Sequence, residues 1–148
     1  MRVRYLAPVV ALLLTVAACS GGGSSTASST PVTSASSGTT TLAVKLTDAL
    51  RMDPASMTVK VGTPITFVVT NTGRTEHEFV LGDEAEQMAH EQTMGGMPMS
   101  DSATAISLKP GETKTLTYTF PKVNAFLAGC HESGHYAGGM KATITVTG

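Results

Sequence analysis

Near its C-terminus the chain reads Cys130-His131-Glu132-Ser133-Gly134-His135-Tyr136-Ala137-Gly138-Gly139-Met140. A thiol, an imidazole and a thioether, those of Cys130, His135 and Met140, recur there with four residues between each pair. A loop this short can fold three side chains onto one ion, and Gly134, Gly138 and Gly139 supply backbone freedom. Each residue taken singly has a plainer reading. A lone Cys in a β-protein is usually a small buried hydrophobe, a lone His a turn residue, and a lone Met a core residue opening a strand. Together they form a soft donor set, and sulfur with imidazole favours copper over hard cations.

A trigonal Cys/His/His set with a distant Met is the arrangement of blue-copper electron-transfer sites, so a second histidine must come from elsewhere. The chain has four histidines. His77 is the natural supplier, because it opens an apolar run just after the turn Asn71-Thr72-Gly73 and can lie at the same end of the fold. His131 raises a different chemistry, that of oxidases whose copper-binding Cys is flanked by histidines on both sides. Here Gly129 precedes Cys130, and four histidines cannot also furnish a three-copper cluster. A two-copper centre would need a second Cys in the loop, and none is there. The expectation is one mononuclear copper held by His77, Cys130, His135 and Met140, without enzymatic chemistry. Tyr136 reads as packing or rim.

The elements that must position these residues are short strands. Leu42 to Thr47, Met57 to Val61, Ile65 to Thr70, Glu76 to Leu81, Ala105 to Leu108, Thr113 to Phe120, Val123 to Ala128 and Lys141 to Thr147 are rich in β-branched residues. Turn signals such as Asp53-Pro54 and Lys109-Pro110-Gly111-Glu112 separate them. Seven or eight short strands at this spacing predict an all-β, antiparallel sandwich. One stretch breaks the pattern: Asp83 to Met94 carries helix formers, with Asp83 and Glu86 in capping-box positions. Gly95 to Ser102 reads as irregular, and the whole insertion need not pack into the core. Met88, His90, Met94, Met97 and Met99 fall within it, and thioethers with imidazole suit Cu(I). A helix would put His90 and Met94 on one face. The same residues also fit an adaptable cover over the sandwich end, so a second Cu(I) site and a plain loop both stay open.

On Asn71-Thr72-Gly73, His77-Glu78-Phe79, Pro110-Gly111-Glu112 and the Cys130 to Met140 loop, the chain from Leu42 to Gly148 resembles the cupredoxin family. Its ligand spacing is rusticyanin-like, and its overall pattern is similar to small periplasmic cupredoxins linked to copper tolerance. The resemblance implies a Greek-key β-sandwich with one type 1 copper. It also implies either electron transfer through the Cu(II)/Cu(I) couple or copper tolerance by sequestering or delivering copper. A non-metal structural sandwich would leave the Cys–His–Met loop without a reason. Many members carry Asn after the first His, where its side chain braces the Cys loop; this chain has Glu78.

The N-terminal segment has its own logic. Arg2 and Arg4 precede the apolar stretch Leu6 to Ala18, which is shorter than the about 20 residues a spanning helix needs and reads as a secretory signal, residues 1–18. Val16-Ala17-Ala18-Cys19 resembles the lipobox of bacterial lipoproteins, which implies lipidation at Cys19 and export to the cell envelope. Residues 19–40 are nearly all Ser, Thr, Gly and Ala, a composition that cannot offset ordering entropy. Such a tether has an end-to-end distance of about 25 Å. The folded domain is expected over 41–148. Without the signal, its 8 Lys+Arg (10 less Arg2 and Arg4) against 11 Asp+Glu leave a formal charge of −3. No basic stripe is present, which argues against nucleic acid. The expected partners are a redox or copper-handling protein and the membrane, through the lipid, with the chain itself monomeric. With Cys19 lipidated, Cys130 has no cysteine left to pair with, which strengthens the case that it binds something.

Overall fold

The computed structural model of the chain describes residues 39–94 and 96–148, so the expected signal, Cys19 and most of the tether lie outside the described residues. Alternation of apolar and polar side chains builds most of the strands, because a period of two buries one face, whereas His77–Gly82 and Ala105–Leu108 are buried on both faces. In Pro64–Asn71, Ile65, Phe67, Val69 and Asn71 point inward; in Lys141–Thr147, Ala142, Ile144 and Val146 do so. Nine strands form among the described residues: β1 Thr40–Thr47, β2 Arg51–Asp53, β3 Ser56–Lys60, β4 Pro64–Asn71, β5 His77–Gly82, β6 Ala105–Leu108, β7 Thr113–Thr119, β8 Ala125–Gly129 and β9 Lys141–Thr147. Between β5 and β6 lies one helix, α1, Glu84–Met94.

The strands make two sheets, ordered β2-β1-β4-β7 and β3-β9-β8-β5-β6. Crossovers from one sheet to the other give the Greek-key sandwich that the sequence predicts. The sheets are mixed rather than purely antiparallel, since β1 runs parallel to β4 and β3 parallel to β9. An aromatic column fills the space between them. Phe67 packs on Phe79 at 5.3 Å between ring centroids, and Phe120 meets Phe126 edge-on at 5.1 Å. Rings at these separations add to the burial itself. Phe67, Phe79, Phe120, Leu46, Leu108 and Ile144 are wholly buried.

The three-residue β2 is a further departure; so short a run carries no readable alternation. Among the described residues the insertion adds no side chain to the hydrophobic core, as expected, yet it is fastened to the sandwich. Its start is the predicted capping box: the Glu86 backbone N–H donates to Asp83 Oδ1 at 3.1 Å, and the Asp83 N–H donates to Glu86 Oε2 at 2.7 Å. One turn later the buried Gln87 side chain donates to the carbonyls of Val80 (2.8 Å) and Leu127 (3.3 Å), fastening α1 to β5 and β8. A single polar residue in an otherwise unremarkable helix gave no sign of this. Among the described residues no helix is long and apolar enough to cross a membrane.

Candidate metal centre

Strand β5 begins at His77, and β8 and β9 flank the loop from Cys130 to Met140, so hydrogen bonding within one sheet brings both pieces to the same end. The loop is tied at its neck: the Cys130 N–H donates to the Met140 carbonyl at 3.1 Å, and the Met140 N–H to the His135 carbonyl at 3.0 Å. Gly134 and Gly139 adopt φ of 80° and 90°, which residues with a Cβ rarely do. Gly138 has no such φ; a Cβ there would stand 2.5 Å from Leu50 Cδ1 and 3.2 Å from the Gly134 carbonyl oxygen, so close approach, not dihedral freedom, favours glycine.

Three donors converge. Cys130 Sγ lies 3.3 Å from His135 Nδ1 and 4.0 Å from His77 Nδ1, and the two Nδ1 atoms are 3.3 Å apart. A metal with bonds of about 2.0–2.3 Å to nitrogen and sulfur holds trigonal donors about 3.5–4 Å apart, so this triangle fits one ion. His77 and Cys130 are fully buried, while His135 is half-exposed. Met140 is fully buried at the loop's end. Among the described residues, this is the one cluster of three or more His, Cys, Asp or Glu side chains whose donor atoms lie within 4.8 Å of one another.

Burial works against charge here. It pushes the Cys130 thiol up to about 11, opposed by the backbone N–H groups of Glu78 and Glu132. It also holds His77 below the ordinary imidazole range, helped by His135 and opposed by Asp48. The Glu78 N–H points at Cys130 Sγ from 3.3 Å, a hydrogen bond that stabilises a thiolate once formed.

The residue that sequence reasoning weighed only for oxidase chemistry, His131, is the anchor of the loop. Its backbone N–H donates to Glu78 Oε2 at 3.1 Å, and its carbonyl accepts from the Gly96 N–H at 2.8 Å. Its Nδ1 faces Glu91 Oε2 at 2.6 Å and its Nε2 faces Gln87 Oε1 at 2.7 Å. Tyr136 stacks on the ring at 4.7 Å, confirming its packing role, and His90 tilts against it at 4.6 Å. Glu78 therefore does brace the Cys loop, although burial raises its carboxyl to about 7. Asn71, also missed, is buried and donates to the Thr75 and Leu108 carbonyls, shaping the approach to His77.

Of the insertion residues, Met88, His90, Met97 and Met99 do not share one place. Met88 and Met97 are exposed at 51% and 48%; His90 lines a cavity with Val80, Gln87 and Phe126, and Met99 a separate one with Glu76 and Ser107.

Residues 39–147 match the model of the copper-binding plastocyanin/azurin family. The chain belongs to that family. Among curated relatives of this cupredoxin is the copper-resistant cuproprotein CopI of Rubrivivax gelatinosus, 38% identical over 108 residues, 72% of this chain and 66% of that protein. CopI of Vibrio cholerae is 36% identical over 90 residues, 60% of this chain and 53% of that protein. The chain thus spans between half and two thirds of these relatives. Similar solved structures include dithionite-reduced auracyanin from Roseiflexus castenholzii, with a TM-score of 0.66 and 28% identity over 74% of this chain and 98% of that one. Auracyanin A, a "blue" copper protein of Chloroflexus aurantiacus, follows with a TM-score of 0.61 and 25% identity over 74% of this chain and 100% of that one. Copper is therefore the metal that the His77, Cys130 and His135 donors of this cupredoxin suit.

Three outcomes follow from the site's geometry and electrostatics. His131→Ala leaves the buried Gln87 Oε1 without a donor and should destabilise the fold by about 1–3 kcal/mol, read from urea unfolding. The high thiol pKa keeps Cys130 protonated at pH 7.5, so alkylation by iodoacetamide should be far slower in the copper-free folded protein than in urea. Because the folded value, about 11, lies above the ordinary 9.0, the copper-free fold should lose stability as pH rises from 9 towards 11.

Proposed function

We propose that this chain is an exported, lipid-anchored type 1 copper protein of the bacterial cell envelope, which transfers electrons in the service of copper tolerance. The observation that carries the reading is the convergence of two Nδ1 atoms and one sulfur within 4.0 Å, buried except at one imidazole edge. Met140, at the loop's end, would be the weak fourth ligand. Copper, when bound, supplies the Cu(II)/Cu(I) couple. The chain's part is to hold the donors still. The neck of the loop, the His131 contacts and the β5 backbone fix them, so reorganisation between oxidation states is small. The Glu78 N–H bond to the sulfur and the burial of Cys130 tune the potential. His135 is the half-exposed donor, and its neighbours Ala137 and Gly138 are small enough for a redox or copper-handling partner to approach closely.

The relatives named for copper resistance support tolerance, and the auracyanins, one of them titled a "blue" copper protein, support electron transfer. Adding Cu(II) to the purified protein should give an intense blue or green colour that Cys130→Ser abolishes; a colourless wild type would sink the type 1 assignment. Deleting the gene should cost growth at raised copper while leaving respiration intact. The reverse phenotype would favour a respiratory or photosynthetic electron carrier.

The exposed thioethers of Met88 and Met97 favour a second role for the insertion, as a weak surface acceptor of Cu(I). Titration with Cu(I) under reductant should then exceed one equivalent. Replacing Met88, His90, Met94, Met97 and Met99 together should return it to one; an unchanged stoichiometry would leave these residues as cover.

A further inference from the structure

The two ring nitrogens of His77 face different surroundings. Nδ1 looks into the donor cluster, 3.3 Å from His135 Nδ1 and 4.0 Å from Cys130 Sγ. Nε2 looks the other way, to Asp48 Oδ1 at 3.4 Å. That approach falls short of hydrogen-bond geometry, yet the His77 side chain is wholly buried, Nε2 has no hydrogen-bond partner among the described residues, and this carboxylate is the polar group that faces it. Asp48 belongs to the turn between β1 and β2, twenty-nine positions before His77, so the pairing is a product of the fold.

The carboxylate is held where it stands. The Arg74 N–H donates to both its oxygens, at 2.9 and 2.8 Å, and the Thr75 N–H and hydroxyl donate to Oδ1 at 3.3 and 3.1 Å. These bonds, the Arg74 N–H foremost, keep Asp48 below the usual carboxylate range. Gly73 leaves the room: a Cβ there would stand 2.9 Å from both Asp48 Cγ and His77 Nε2. Three separate features, a fixed carboxylate, a glycine beside it and a buried N–H with nowhere else to go, meet at one edge of the imidazole.

A neutral imidazole that offers its Nδ1 lone pair to a metal must carry its proton on Nε2. A carboxylate facing Nε2 favours that tautomer, fixes the ring and raises its basicity. We propose that Asp48 is a positioning residue for His77, selecting the Nδ1-donating tautomer and strengthening this ligand towards Cu(II) over Cu(I). The inference rests on the reading above that His77 is a copper ligand. The competing account is that Asp48 only caps the Arg74–Thr75 turn. Asp48 is 42% exposed, so solvent screening puts its effect at the lower end of the about 10–100-fold that such partners contribute to metal affinity.

Asp48→Asn separates the two accounts, because the amide retains an oxygen for the turn and loses the charge over His77. In the copper-free full chain at pH 8, imidazole 15N shifts should report His77 protonated on Nε2, and Asp48→Asn should erode that preference. In the copper-loaded protein the variant should bind Cu(II) about tenfold more weakly. With Cu(I) affinity unchanged, that is a rise of about 59 mV in one-electron potential. Thr75→Val is the control: it removes one hydrogen bond from the turn but leaves the carboxylate over His77, so it should lower Tm and leave the potential in place. If Asp48→Asn lowers Tm while the tautomer and potential stay at wild-type values, or if Thr75→Val moves the potential as far as Asp48→Asn does, the proposal is overturned. A wild type that takes up no copper would defeat the proposed function instead, and the copper-free 15N measurement would still decide the role of Asp48.

Discussion

Cys130 is placed by its neighbour. The main-chain N–H, the carbonyl and both ring nitrogens of His131 are each engaged, by Glu78, Gly96, Glu91 and Gln87, and aromatic rings pack on the imidazole. A residue bound on all its polar groups and packed against its ring has no second position of similar energy. The sulfur one residue away inherits that rigidity. The proposed electron transfer would depend on donors that do not move when the charge on the ion changes, and this polar cage supplies that constraint.

The electrostatics of the site point the same way. Burial raises the Cys130 thiol, raises the Glu78 carboxyl and depresses His77, so each group resists the charge it would otherwise carry. Such a cluster is poorly satisfied with protons alone. A bound cation reverses the balance, since it deprotonates a coordinating thiol and takes up the imidazole lone pairs. His77, Cys130 and Met140 are fully buried, and that burial is what gives each remaining dipole its weight.

The insertion takes on a different character in this light. It is not a loose addition to the sandwich. Through Gln87 it holds β5 and β8, and through Gln87, Glu91 and Gly96 it holds His131, so α1 is part of the frame of the metal centre while the Met88 and Met97 side chains face solvent. Glu78 joins the same frame from β5. Where many cupredoxins use Asn to brace the Cys loop, this chain does so with a carboxyl whose pKa burial raises to about 7.

The sequence by itself determined what is periodic or local. Short β-branched runs between turn signals implied the sandwich, and β9 matches residue for residue because its burial repeats every second position. The Asp83–Glu86 capping box was legible because it spans four residues, and Cys130, His135 and Met140 because one short loop carries them. Only the tertiary structure decided the rest: that Asp48 faces His77, that Gln87 and Glu91 meet His131, that Asn71 shapes the approach to the first ligand, and that Gly138 is needed for space. Each of these joins residues distant in the chain through a single polar contact or a close approach. Such contacts leave no period and no spacing in a sequence; they exist only where the two sheets and the helix have closed on one another.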